Sequence, residues 1–258
     1  MKGSAGVLAL VLGETVAGGS AELFLTPLWS EVRRGFFKIT GVMLLVIGAS
    51  TWGAAAAGAV PGDGAGRWTT LLSMAFTLAT GVWLLLLFVR QHAVARAVGL
   101  ATVPLTLGLL IVMAFTAEGS MGVAAFQLLA GAAFLGAVMD GLLLGHWYLT
   151  DRGLSREPIN RATMLLIGAV VLEAVGVIGG GFGPTEAGSQ FNPLLTSAGL
   201  ASWIALGMVG ATGLIAVLTR LTLRGQRASA VQSATGFFYL AVITAFTAEV
   251  AAKVPFLG

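Results

Sequence analysis

Residues 97–117 read AVGLATVPLTLGLLIVMAFTA, an uncharged run. A helix of about 20 residues crosses the roughly 30 Å of hydrocarbon in a bilayer. The run is too long and continuous for the alternating segments of roughly ten residues that build an outer-membrane barrel. Seven further apolar runs of similar length lie near residues 6–28, 36–60, 68–89, 123–149, 161–181, 198–222 and 229–252. The predicted fold is all-α and integral to the membrane, with eight transmembrane helices.

Composition agrees with that reading. Of 258 residues, 57% are hydrophobic and 10% are charged, against roughly 25% charged in soluble domains. The 37 glycines suit membrane helices, whose backbones approach closely over small side chains. With no cysteine, disulfides, iron–sulfur ligation and thiol catalysis are excluded. The net charge of +3 is spread over short loops, so the expected partner is the lipid bilayer and not a nucleic acid.

The basic residues instead report orientation. Arg33, Arg34 and Lys38 follow the first run, Arg90 and Arg96 the third, Arg152, Arg156 and Arg161 the fifth, and Arg220, Arg224 and Arg227 the seventh. All fall on one side, and the opposite side holds Lys2, Arg67 and Lys253. By the excess of positive charge in cytoplasmic loops, the first side is inside and both termini are outside, in a bacterial plasma membrane. The first run has the outline of a secretory leader, but Glu14 within it argues against cleavage.

The chain also repeats. Ala114-Phe115-Thr116-Ala117-Glu118 returns as Ala245-Phe246-Thr247-Ala248-Glu249, 131 residues later. Ala79-Thr80-Gly81 returns as Ala211-Thr212-Gly213, Met43-Leu44-Leu45 as Met164-Leu165-Leu166, and Glu22 with Trp29 as Asp140 with Trp147, at offsets of 132, 121 and 118. Most of the drift falls in the connection after the sixth run, where length is free to vary. The expected organisation is two four-helix repeats, residues 1–121 and 122–258, related by a pseudo-two-fold axis along the membrane normal. A cleft between them is the natural place for a site, and the segment from Phe182-Gly183-Pro184 to Asn192-Pro193 is either its outer cap or a tether.

Ionisable groups within the spans are the candidate site, because a charge in hydrocarbon costs a few kcal/mol and normally faces the bundle interior. Counted along the helices, His146, Glu22 and Asp140 lie toward the cytoplasmic half, Glu14 and Glu173 near the middle, and Glu118, Glu249 and Lys253 toward the outside. They outline a proton or ligand path. Glu22 and Asp140 occupy matching positions in the two halves, each seven residues before a tryptophan, and are expected to face each other across the pseudo-axis or to bond within their own halves. Glu14 and Glu173 have no acidic counterpart, the matching positions being near Ala132 and Gly53, so they mark where the halves specialise. Three residues have plainer readings: Glu249 and Lys253 as an interfacial i,i+4 ion pair, and Glu118 as a solvated helix end. His146, beside Trp147 and Tyr148, fits the aromatic belt.

Other chemistry is largely excluded. The histidines are His92, in a loop, and His146, so no bis-histidine haem is expected. A metal site of two or more histidines with carboxylates is not available either, which leaves a carboxylate-only cation site open. Lys253 lies too near a helix end to carry a retinal Schiff base, and no Ser/His/Asp arrangement or phosphate-cradling loop stands out.

Two four-helix halves without haem ligands, together with the small-residue stretch Gly13-Glu14-Thr15-Val16-Ala17-Gly18-Gly19-Ser20, resemble the NrfD/PsrC-like membrane subunits of redox complexes. The resemblance implies a quinone site in one half, an iron–sulfur partner subunit and proton passage. It carries over no individual quinone-binding residue. The expected function is accordingly a haem-free membrane subunit handling protons or quinone within a larger redox complex. A proton- or cation-coupled secondary transporter and a structural scaffold, in which the acids only hold helices together, are the alternatives.

Overall fold

A computed structural model describes residues 1–117, 119–151, 153–182, 199–225 and 229–254. Glu118, Arg152, Arg227 and the segment expected to cap the cleft, residues 183–193, lie outside the described residues. The described residues form nine helices: α1 (Gly3–Leu25), α2 (Leu28–Glu31), α3 (Arg34–Ala57), α4 (Gly64–Phe88), α5 (His92–Ala114), α6 (Met121–Thr150), α7 (Glu157–Gly180), α8 (Leu200–Leu223) and α9 (Ser229–Lys253). All but α2 are long and apolar enough to cross a membrane. The described residues make an all-helical membrane protein.

Helix is the form these residues take because hydrocarbon offers no partner for a free N–H or C=O, and a helix satisfies each within its own segment. The same need accounts for the buried hydroxyls. Thr15 donates to the Val11 carbonyl, Thr77 to Ser73 and Thr163 to Ile159, each at 2.8 Å. Several helices begin before the apolar run does: α5 starts at His92, α4 at Gly64 and α7 at Glu157. Hydropathy breaks off at a charge such as Arg96, but the hydrogen-bond ladder does not. The one-turn helix α2, opened by Pro27, was not expected. It seats Trp29 against Phe37, ring centroids 4.8 Å apart, beneath the Arg34 guanidinium at 4.1 Å.

α1 and α6 form the centre. In each, 78% of the most apolar window is buried, against 33–44% in the other six spans. α1 packs against α3, α5 and α6, and α6 against α7 and α9; α4 bridges α3 and α5, and α8 bridges α7 and α9. The outer helices turn large apolar side chains outward, among them Leu85, Leu214 and Ile243, each more than 60% exposed. A belt of that kind is suited to acyl chains rather than water.

The arginine-rich end is laced by ions. Arg161 of α7 grips the Glu31 carboxylate of α2 with two nitrogens, and Arg33 Nε lies 3.3 Å from Asp151 Oδ2. Arg220 donates to Asn160 Oδ1 at 2.8 Å. At the other end, the Met1 amine donates to Asp63 Oδ2 at 2.8 Å, and that bond holds the Asp63 carboxyl below the usual carboxylate range.

Candidate functional site

The α1/α6 seam positions the acids. On α1, Glu14, Gly18 and Glu22 recur every four residues and so lie along one stripe. On α6, Ala132, Gly136 and Asp140 do the same. The stripes meet at the glycines, where a Cβ on Gly136 would lie 2.6 Å from Gly18 Cα. Only glycine permits this approach. One turn to either side of the contact, α1 carries an acid: Glu14 away from the arginine-rich end, Glu22 toward it.

Glu14 is completely buried. Lys253 Nζ of α9 lies 2.8 Å from its Oε1 and donates to Glu249 Oε2 at 2.8 Å. Glu173 of α7 is buried as well, and its Oε2 has no hydrogen-bond partner. All four are at most 2% exposed. Gly131 of α6 makes the room: a Cβ there would lie 2.5 Å from Glu14 Oε1 and 3.0 Å from Glu249 Oε1. One turn further along α6, Gln127 donates to the Gly176 carbonyl of α7 at 3.2 Å and closes that side of the seam.

This corrects the expected interfacial pair. Glu249 and Lys253 are paired, but buried in the bundle and joined to Glu14. The reason is the vertical offset of the helices. Phe238 packs on Gly141, Thr235 on Gly145 and Glu249 beside Gly131, a register that brings Lys253 level with Gln127. Lys253 ends its own helix, yet it sits about six residues, roughly 9 Å, in from the start of α6.

The second pair, Glu22 and Asp140, lines one small cavity with Thr26, Leu144, Pro158 and Arg161. Asp140 is 2% exposed and neither of its oxygens has a hydrogen-bond partner. His146 is brought to neither group. It is exposed, and its Nε2 lies 2.6 Å from Tyr239 Oη. Gln127 and Gly131, which shape the upper cluster, were not singled out in the sequence. The one signal was their i,i+4 spacing on the face of α6 that also carries Leu135 and Met139.

Among the described residues no group of three or more His, Cys, Asp or Glu is arranged to hold a metal ion. A groove of about 350 Å³ between α8 and α9, lined by Ile204, Phe246, Thr247, Val250 and Ala251, has room for a quinone ring. Its one hydroxyl, on Thr247, already donates to the Ile243 carbonyl at 2.7 Å. A quinone carbonyl would find no free side-chain donor there, and no quinone step is derived. Comparison with protein-family models, curated proteins and solved structures finds no match for this chain.

Proposed function

We propose that this is a haem-free, proton-handling integral membrane protein of a bacterial plasma membrane, with Glu14, Glu173, Glu249 and Lys253 as its working centre. One observation carries the reading: two buried carboxyls, Glu14 and Glu249, share the single ammonium of Lys253. An uncompensated buried charge costs several kcal/mol, so the carboxyls in excess of Lys253 hold protons or admit a cation. One of these carboxyls then carries a proton, because a single ammonium balances a single carboxylate. Removing or adding that proton changes the charge of the cluster, which is how such a centre couples protons to a second event.

We read the chain further as two four-helix repeats about a pseudo-two-fold axis. The packing supports this, since each neighbour pair within α1, α3, α4 and α5 has its counterpart within α6, α7, α8 and α9, and α5 touches α6 as α9 touches α1. Burial supports it too. In α3, Phe36, Phe37, Thr40, Gly41, Leu44, Thr51, Ala54 and Ala55 are buried, and so is each residue 122 positions later in α7. This register pairs Glu173 with Thr51 rather than with a residue near Gly53, which faces open space. Specialisation of the halves thus takes the form of Glu14 against Ala132 and Glu173 against Thr51. The arginine-rich end faces the cytoplasm in this reading, and both chain ends face outward.

A proton- or cation-coupled secondary transporter fits best, because the cluster lies beside the seam between repeats, where parallel-repeat carriers bind substrate. The second reading is a subunit of a larger redox complex, supported by the eight-helix architecture; there the same cluster would take up protons for its partners. Reconstituted alone into liposomes with a trapped pH indicator, the wild-type chain should dissipate an imposed pH gradient several-fold faster than empty liposomes. Glu14→Gln and Glu173→Gln should each abolish the increment. Inactivity of the lone chain with redox subunits co-purifying from native membrane favours the second reading. Proton movement indifferent to both substitutions would leave the acids as structural glue.

A further inference from the structure

We infer that Glu22 and Asp140 form a second, separate site that takes one water-sized monovalent cation, sodium or hydronium, from the arginine-rich end. The inference does not depend on the Lys253 cluster being active. Glu22 lies eight residues from Glu14 on α1, about 12 Å along the axis, and the Gly18–Gly136 backbone contact stands between them. That contact closes the direct route between the two acid groups along the α1/α6 seam. The two groups are therefore served from opposite ends.

The cavity between Glu22 and Asp140 has a volume of about 10 Å³, close to the room that a single water occupies. Organic cations do not fit. Asp140 forms the buried back wall, with both oxygens unpartnered, while Glu22 is half-buried at the side where Thr26 and Arg161 lie. Arg161 of α7 does not neutralise the pair, since its guanidinium is taken by Glu31 of α2. These four are the charged side chains that α1, α2, α6 and α7 present around the cavity. Carboxylate oxygens select a hard cation. Calcium wants six to eight oxygens and magnesium keeps several waters, for which the cavity has no space. With one proton shared by the two carboxyls, a single monovalent cation makes the site neutral.

The test is thermal unfolding of the full chain in nanodiscs, with sodium chloride exchanged for choline chloride at constant ionic strength. If sodium is the occupant, the midpoint should rise saturably with sodium, Asp140→Asn should lose that rise, and Glu173→Gln should keep it. If hydronium is the occupant, sodium should have no effect. Alkaline titration of the unbuffered protein from about pH 7, where an ordinary carboxyl has no proton left to give, should then release one proton more from the wild type than from Asp140→Asn. Should Asp140→Asn fail to fold, Glu22→Gln, at the half-buried side, serves in its place. A sodium effect that survives either substitution, or neither a sodium effect nor a proton difference, overturns the inference.

Discussion

Gly18 of α1 and Gly136 of α6 meet backbone to backbone: a Cβ at position 136 would stand 2.4 Å from the Gly18 carbonyl carbon, and one at position 18 only 1.7 Å from the Ala132 carbonyl oxygen. The obstructing atoms are main chain and cannot rotate aside, so an added methyl must push the two central helices apart. Every contact along the seam, including both acid groups, depends on their closeness.

Gly18→Ala and Gly136→Ala should therefore each destabilise the protein by about 3 kcal/mol, the upper part of the range for overpacked interiors. Gly53→Ala and Gly207→Ala are the controls. A Cβ at either meets nothing within 4 Å, and alanine is favoured over glycine within a helix by up to about 1 kcal/mol. Denaturation in mixed micelles reads the difference. Equal stability of Gly18→Ala and Gly53→Ala would show that the seam is not tightly packed.

Among the described residues, Lys253 is the one cation within contact of Glu14 and Glu249. Lys253→Met keeps the length of the side chain and removes the charge, leaving carboxylates uncompensated in a dry interior. Breaking a buried ion pair in this way costs about 3–5 kcal/mol. The triple variant Lys253→Met with Glu14→Gln and Glu249→Gln removes the stranded charges and should recover most of the loss. Full stability of Lys253→Met alone would mean that the cluster is already neutral without its lysine.

The eight spans were legible because hydrocarbon imposes one long apolar helix after another, and α9 follows the run at 229–252 to within a residue. The cluster was only partly legible. Glu14, Asp140 and Glu173 were picked out because a mid-helix acid has nowhere to go but inward, and they are buried. The burial of Lys253 and Glu249 was not legible, because counting along a single helix gives depth only if all helices start at one level, and α9 stops short of the start of α6. Gly131 was hidden for another reason: among 37 glycines, sequence does not mark which one faces a carboxylate.

Orientation is open to a direct check because the chain has no cysteine. Ala59→Cys, in the connection between α3 and α4, and Gln91→Cys, between α4 and α5, are both exposed and lie at opposite ends of α4. In intact cells, a membrane-impermeant maleimide should label Ala59→Cys and leave Gln91→Cys unlabelled until the membrane is permeabilised. The reverse pattern would place the arginine-rich end outside, against the usual charge bias.

Gly131→Ala separates the chemistry of the cluster from the stability of the fold. The atoms its Cβ would meet, 2.5 Å from Glu14 Oε1 and 3.0 Å from Glu249 Oε1, are tips of flexible side chains and not main chain. They can swing away, and the exchange of glycine for alanine in a helix offsets part of the strain, so the expected stability loss is under about 1.5 kcal/mol. The displaced carboxyls, however, can no longer both reach Lys253. Proton movement in liposomes should fall by at least tenfold, while the unfolding midpoint stays near that of the wild type. If activity and stability instead decline together, as expected for Gly18→Ala, Gly131 is a packing residue of the seam and the carboxyl geometry beside it is not what limits proton movement.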